Sequence, residues 1–337
     1  MVLSTQSRNR IEYQLKYLVE NQDRLVVDAD VHATDIADLH AELKRQLEST
    51  DDYFHGRPVS AEDLILEMNM AGVDMALIWQ NPTATVYCDD PERNFERLLA
   101  ANRYIHHASV KYPNRFIPAG WTDPKALGLD RAIQLVGVCV REFGFAIVKM
   151  NPAQNAFPID GEQVISVFEA IVQQGAIPAF HFGSDTDFTP AEGLENLAKR
   201  HPDCPVIAVH MGGGGASYAE AEILYKESRK LGLRHPNIRF VLSAKRDTHV
   251  ESDLITYQLA GEPFCHNLYC ASDAPYGRMA WNFGGYRGML KSLMDGEHHT
   301  DERVRRNPCL FTEDTIKNFL GRNFVKLTIE RYRDLLK

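Results

Sequence analysis

The chain has 337 residues, 44% of them hydrophobic and 25% charged, an ordinary globular composition long enough to bury a core without disulfides or a structural metal. Its formal net charge is −9 and it has no Lys/Arg block, which argues against nucleic acid and anionic membranes as partners and means that an anionic substrate has to be met by local cations. The six cysteines (Cys88, Cys139, Cys204, Cys265, Cys270 and Cys309) are scattered without a CxxC pair, there is no secretory h-region, and no apolar run approaches a membrane span; the expectation is free thiols in a reducing, cytoplasmic setting.

The first stretch, MVLSTQSRNRIEYQLKYLVENQDR, is polar and reads as a helix. Short apolar runs rich in β-branched residues then recur along the chain. They are RLVVDAD (24–30), DMALIWQ (74–80), RFIPAGW (115–121), FAIVKMN (145–151), AIPAFHF (176–182), PVIAVHM (205–211), IRFVLSA (238–244) and NLYCASD (267–273). Most are near-continuously apolar, as strands buried on both faces are. Amphipathic helical stretches separate them. SAEDLILEMNMAG has Ser60 as N-cap, Asp63 three residues later and Gly72 as a stop. DPERNFERLLAANRYIHHASVKYP (90–113) is closed by Pro113, and GEQVISVFEAIVQQG (161–175) ends at Gly175. GLENLAKRHP (193–202) and SYAEAEILYKESRKLG (217–232) continue the alternation.

Eight strands evenly alternating with helices predict an α/β fold, a (β/α)8 TIM barrel in preference to a doubly wound open sheet. The chain reads as a single domain, 1–337, with its barrel core at about 24–295, an N-terminal helix and a C-terminal helical appendix over 298–337. The segment 33–60 is too long for an ordinary βα loop and is expected to cover the barrel mouth. The loops 33–60, 83–95 and 274–300 are expected to shape the pocket.

In a barrel the chemistry sits at the C-terminal ends of the strands. Those ends carry Asp30-Val31-His32 on strand one, Lys149 on strand four, His181 on strand five, His210 on strand six and Asp273 on strand eight. Residues 30 and 32 are i and i+2 on an extended segment, so their side chains share a face. Imidazoles and carboxylates from separate strands can therefore converge on one ion; nitrogen with oxygen suits zinc, and also manganese or iron(II). A single strand histidine is more often a core residue than a ligand. Several ligand-type residues at the correct strand ends are much harder to obtain by chance.

At these residues the chain resembles the amidohydrolase superfamily, and within it the amidohydrolase-2 branch that includes aminocarboxymuconate semialdehyde decarboxylase, resorcylate-type decarboxylases and pyrone dicarboxylate lactonase. The motifs that carry the resemblance are DADVH, VKYPNRFIPAG, FGFAIVKMNP, IPAFHFG, VIAVHMGGG and CASDAPYG, over about residues 24–295. The resemblance implies that Asp30, His32, His181 and Asp273 bind one divalent metal, with His210 beside it acting on substrate, and that the protein is a homodimer. Two departures stand out. Many members have His-x-His on strand one where this chain has Asp30-x-His32, a carboxylate-first pattern that the resorcylate-type enzymes share with Glu. Lys149 stands where some superfamily members carry a bridging carboxylated lysine; in this branch it usually does not bridge, so a mononuclear site is expected.

The ligand set serves two reactions. In hydrolysis of a lactone, ester or amide, Asp273 would pass the proton of the attacking water to the leaving group, and His210 would hold the oxyanion. In non-oxidative decarboxylation of an aromatic or muconate-like acid, Asp273 or His210 would protonate the carbon that loses carbon dioxide. The CASDAPYG and HMGGGG motifs favour the hydrolase, and the carboxylate-x-His pair supports the carboxy-lyase. A barrel that only binds a ligand is the third reading. Lys245 and Arg246 of SAKRD, and more weakly Arg278, are candidates to hold an anionic group at the mouth, set against the plainer reading of solvated loop charges. The run Gly212–Gly215 lacks the GK[ST] ending of a phosphate loop and instead suggests close approach of backbone to substrate. Trp79, Trp121, Tyr276 and Trp281 are candidate walls for a ring, and Asp28 a supporting group for the ligands or a turn cap.

Overall fold

The computed structural model describes residues 3–50, 54–183, 187–213, 218–245 and 247–337, with 218–224 described by backbone alone. All the strand pairs are parallel, and they form two sheets. The first holds β1 (Val27–Ala33), β2 (Met75–Gln80) and β3 (Phe116–Pro118), in that order. The second holds β4 (Gly120–Trp121), β5 (Ile147–Met150), β6 (Ile177–His181), β7 (Val206–Val209), β8 (Ile238–Leu242) and β9 (Leu268–Cys270).

Two seams separate the sheets, and both are narrow. β3 and β4 are halves of the single predicted run 115–121, divided only at Ala119, whose N–H donates to Ile78 O at 2.9 Å. At the other seam the chain just after β9 meets β1. His32 N donates to Ala274 O at 2.7 Å, Asp273 N donates to Asp30 O at 3.0 Å, and Val31 and Ala274 form an isolated parallel bridge. The register of β1 slips between Asp28 and Val31, a bulge that re-aims the residues following it.

The strands form because their side chains are buried on both faces: every residue of β1, β2, β5 and β7 is buried. The helices between them end where the sequence places stops. Ala61–Ala71 has the full capping box between Ser60 and Asp63 and closes on Gly72 at φ 63°. Pro91–Lys111, Glu162–Gln173, Ala191–Arg200 and Tyr218–Arg234 follow the predicted spans closely. Within 33–60 lies a helix, Ala41–Ser49, and within 274–300 the long helix Met279–Met294. The second corrects the expected loop over 274–300: Met279, Phe283, Tyr286, Leu290 and Leu293 bury one helical face, which outweighs the low helix propensity of Gly284, Gly285 and Gly288.

The helices Thr5–Asn21 and Asn323–Leu336 pack on each other at the starts of the strands. Gln14 Nε2 donates to Phe116 O at 2.6 Å, and Gly321 lies so close to Leu25 O that a Cβ would come within 2.1 Å of it. One end of the strand array is thereby covered, and the C-terminal strand ends are left for chemistry. All six cysteines are free, and among the described residues no helix is long and apolar enough to cross a membrane.

Candidate metal centre

Asp30 and His32 project from β1, His210 follows β7, and Asp273 follows β9. One donor atom each from Asp30, His210 and Asp273 lies within 4.8 Å of the others, a spacing able to hold a cation. His32 joins them, its Nε2 lying 3.5 Å from Asp30 Oδ1 and 3.4 Å from Asp273 Oδ1. Asp30, His32 and His210 are buried, while the side chain of Asp273 is 14% exposed, so the group opens on the Asp273 side.

Hydrogen bonds set which ring nitrogens face the cluster. His32 Nδ1 lies 2.8 Å from Gln80 O, which can only accept, so Nδ1 carries the hydrogen and Nε2 offers a lone pair. Ser243 Oγ donates to Asp30 Oδ2 at 2.7 Å and is 2.9 Å from His210 Nδ1. Its one proton goes to the carboxylate, so His210 Nδ1–H donates to it, with Ser243 O a second acceptor at 3.3 Å. His210 therefore also presents a bare Nε2. Burial lowers the His210 pKa, which Asp273 and Asp30 oppose, and the ring is held neutral, as a ligand or base requires.

Burial would raise the Asp30 carboxyl, but Lys149, then His32, His210 and the Ser243 hydroxyl, outweigh it and hold it below the usual carboxylate range. Trp79 Nε1 adds a donor to Oδ1 at 2.8 Å. Lys149 is fully buried, with Nζ 3.5 Å from Asp30 Oδ1, 4.0 Å from the Trp79 ring centre and 5.0 Å from that of Trp121. Burial lowers its pKa, against Asp30 and Asp273. Its amine sits between Asp30 and the two indole rings.

Aromatic rings wall the opening. The His32 ring packs against Trp79, Trp121 and Tyr276 with centroids 6.2, 6.1 and 5.4 Å away, and His55 packs on the other side of Tyr276 at 5.0 Å. Tyr276 is pinned by Asn81 Oδ1 at 2.7 Å and Thr83 Oγ1 at 2.5 Å, which ties the loop after β2 to the loop after β9. Strain gathers at the same strand ends: His210, Ala244 and Asp273 have φ of 75°, 49° and 61°. Non-glycine residues adopt such values at a cost of about 1–3 kcal/mol each and tend to do so at functional sites. Asp28, the supporting candidate, accepts from Ser272 N and Asp30 N at 3.0 and 3.1 Å and from Ser272 Oγ at 2.5 Å, closing the seam under the ligands. Buried with no cation, its carboxyl is pushed up to about 8.

The structure thus brings together Asp30, His32, His210 and Asp273. His181, half-buried at the end of β6, stands one ring further out, its imidazole 4.5 Å from that of His210 and edge-on to it. Burial, then His210 and Lys149, push its pKa well down. Lys245 does not join the site. Its side chain is fully buried, it bonds Asp253 Oδ2 at 2.5 Å, and it stacks over Tyr225 at 4.1 Å, because Asp253 of the helix Asp247–Ala260 needs a counter-charge that no local sequence pattern announces. Arg246 lies outside the described residues. Arg278 is exposed at the start of the helix Met279–Met294, with Glu67 within reach of its charge. Of the candidate rings Trp281 is 79% exposed and takes no part. In the glycine run, Gly212 at φ 78° donates to Phe182 O, and a Cβ on Gly213 would meet Tyr225 Oη at 2.4 Å. These two glycines fold a tight turn, and Gly214 and Gly215 lie outside the described residues. Ser243 and the Gln80 carbonyl escaped sequence reasoning: a serine after an apolar strand carries no distinctive signal, and a main-chain acceptor carries none at all. A cavity of about 500 Å³ lies behind this wall, lined by Thr34, Gln80, Thr85, Arg97 and Tyr104 among others, and contains none of the cluster residues.

Residues 27–264 match the family model for amidohydrolases. The chain belongs to that family. No curated protein matches it. Among solved structures, it is similar to a 5-carboxyvanillate decarboxylase from Novosphingobium aromaticivorans, complexed with manganese and 4-hydroxy-3-methoxy-5-nitrobenzoic acid, at 16% identity and TM-score 0.63, covering 91% of this chain and 96% of that one. A 2,6-dihydroxybenzoate decarboxylase complexed with 2,6-dihydroxybenzoate gives 14% identity and TM-score 0.58, covering 91% and 99%. A 4-oxalomesaconate hydratase from Rhodopseudomonas palustris gives 16% and 0.54, covering 84% and 93%. At these identities the likeness is one of fold.

Proposed function

We propose that the two sheets are one (β/α)8 barrel, joined across Ala119 and across the Asp30–Ala274 seam, and that this amidohydrolase is a divalent-metal-dependent carboxy-lyase that removes carbon dioxide from an aromatic or muconate-like acid. The observation that carries this reading is a buried carboxylate–imidazole cluster opening between aromatic rings at the strand ends. His32 packs edge-on against Trp121 and Tyr276, and the partly exposed Tyr276 is the ring that a planar substrate would meet. The hydrolytic reading that the sequence favoured gives way here, because two of the similar structures described above are decarboxylases of phenolic acids and one is a hydratase.

The donor chemistry fits a hard or borderline divalent ion: two carboxylates and neutral imidazoles with their Nε2 lone pairs turned inward. Asp30, His32 and Asp273 would hold it. The family pattern supplies His181 as the fourth ligand and leaves His210 to the substrate, although the position of His210 alone would also suit a ligand. Bound there, the ion supplies a fixed positive charge that anchors and polarises a substrate oxygen. Manganese, as in the Novosphingobium structure, suits the mixed oxygen and nitrogen set as well as zinc does. Asp273, on the open side, would carry a proton from solvent to the ring carbon as the bond to the carboxylate breaks and carbon dioxide leaves. His210, neutral and oriented by Ser243, would hold the substrate's oxygen or steer that proton.

The test is incubation of the metal-loaded protein with hydroxybenzoates, carboxyvanillate-type acids and muconates, measuring released carbon dioxide, beside lactones and esters scored for hydrolysis. Carbon dioxide release that is abolished in Asp273→Asn supports the reading. Hydrolysis without carbon dioxide release would replace it with the hydrolase. In metal analysis, His181→Ala should lose the ion, whereas His210→Ala should keep the ion and lose turnover; the opposite result would exchange the two roles.

A further inference from the structure

A second set of donors lies far from this centre. The connector GEPFCHN between the helix Asp247–Ala260 and β9 brings one atom each of Glu262, Cys265 and His266 within 4.8 Å of the others. His266 Nε2 is 2.9 Å from Glu262 Oε1, and its Nδ1 is 3.0 Å from Asn323 Oδ1.

The orientation of that imidazole follows from a main-chain group. Asn323 Nδ2 lies 3.4 Å from the Cys265 carbonyl oxygen. A carbonyl only accepts, so the amide nitrogen must face Cys265 and the amide oxygen must face His266. That oxygen also only accepts, so His266 Nδ1 carries a hydrogen and Nε2 is turned to Glu262. Asn323 is 5% exposed and rigidly placed at the start of the helix Asn323–Leu336. Metal-binding histidines are typically held in this way, with the second ring nitrogen fixed by a neighbour. Here the same neighbour also fixes the backbone of the cysteine.

We propose that Glu262, Cys265 and His266 form a second metal site, for a thiophilic divalent cation of the zinc class, with solvent as the fourth ligand. Carboxylate, thiolate and imidazole are all zinc ligands, at about 2.0–2.3 Å, which sets tetrahedral donors roughly 3.3–3.6 Å apart. The present spacing, within 4.8 Å, needs a closing of no more than about 1.5 Å, by rotation of an exposed glutamate and a half-buried cysteine. Binding releases to solvent both the Cys265 thiol proton and the Nε2 proton that His266 donates to Glu262, and the ion takes the place of that hydrogen bond. The thiolate distinguishes this site from the barrel centre, which offers only nitrogen and oxygen. Its position at the start of β9, opposite the strand ends that bear Asp273, makes it a staple. It would fasten the connector to the helix Asn323–Leu336, which in turn packs on Thr5–Asn21.

The experiment uses the full chain with the barrel site first saturated with manganese. Cadmium is then titrated in while thiolate-to-metal charge-transfer absorption is followed in the ultraviolet. We expect a band saturating at one equivalent, absent in Cys265→Ser and much weakened in His266→Gln. In parallel, zinc at 100 times its dissociation constant should slow alkylation of Cys265 about 100-fold by mass action, read by peptide mass mapping of wild-type protein alone. Zinc should also raise the Tm of wild type and leave that of Cys265→Ser unchanged. No band, a band of equal strength in Cys265→Ser, or unchanged alkylation of Cys265 would each overturn the proposal. None of these readouts depends on decarboxylation.

Discussion

Replacing Ser243 by Ala tests the wiring of the Asp30–His210 cluster at one atom. Its Oγ donates to Asp30 Oδ2 at 2.7 Å and accepts from His210 Nδ1 at 2.9 Å. Without it, Asp30 keeps Trp79 Nε1 and Lys149 on Oδ1, but Oδ2 of this fully buried carboxylate loses the Ser243 donor. A hydrogen bond to a charged group contributes about 1.5–3 kcal/mol, so the metal-free variant should unfold at a free energy lower by that amount. His210 would retain only the longer contact to Ser243 O, at 3.3 Å, and its ring would no longer be fixed. Loss of such an orienting partner lowers activity about 10- to 100-fold. The sign with pH follows from Asp30. Its folded carboxyl lies below the unfolded value, so its stabilisation is present above the unfolded value of about 3.9 and is lost as pH falls through the folded one. Without the hydroxyl that difference narrows, and the acid limb of the unfolding profile should move to higher pH. Urea unfolding of metal-free protein across pH, with carbon dioxide release from the loaded enzyme, measures both effects. A stability change under about 0.5 kcal/mol together with turnover within threefold of wild type would refute the assigned network.

Three further outcomes are expected. Asp28 holds its proton up to about pH 8 when folded but ionises near pH 4 when unfolded, so it draws stability down as pH rises between those values, by at most about 1.4 kcal/mol per unit. Asp28→Asn should therefore gain on wild type from pH 5 to pH 8 in urea titrations at equal metal saturation, and parallel profiles would contradict the buried neutral acid. Lys245→Met should leave KM for an acidic substrate within twofold of wild type, yet lower stability by about 1–3 kcal/mol, because Asp253 loses one of its two cations and keeps Arg229; a raised KM with intact stability would return Lys245 to the substrate. Gly183→Ala places a Cβ 1.9 Å from Gly213 O at a φ of 155°, and should cost at least about 2 kcal/mol in thermal or urea unfolding, whereas Gly284→Ala, whose Cβ would meet nothing within 4 Å, should be neutral or stabilising.

Much of the fold is written in local pattern. Runs such as DMALIWQ and PVIAVHM become β2 and β7 because a strand buried on both faces has to be apolar throughout, and that signal survives in any context. The Ser60–Asp63 box and Gly72 fixed a helix to the residue, since capping depends on neighbours in sequence alone. The helix Met279–Met294 was obscured by its glycines, whose low propensity is overridden by packing against Ala61–Ala71.

That the ligand-type residues Asp30, His32, His181, His210 and Asp273 gather at one end of the strands could be read from residue type at the ends of apolar runs, because strand direction alone sends those positions to one end of a parallel array. Which imidazole stands nearest the carboxylates could not, since His181 and His210 come from adjacent strands and differ only in the turn each adopts, with φ 75° at His210. The sequence likewise gave no sign that Lys245 would be taken up by Asp253, eight residues on, instead of reaching the mouth. The sequence by itself determined the strands, their order and the kinds of atom offered at their ends, because burial and periodicity are properties of the chain. The tertiary structure decided the partners of those atoms. Ser243 beneath His210, Trp79 and Lys149 against Asp30, and Asn323 behind His266 are contacts between distant segments, and hydrogen-bond geometry at that range is set by packing alone.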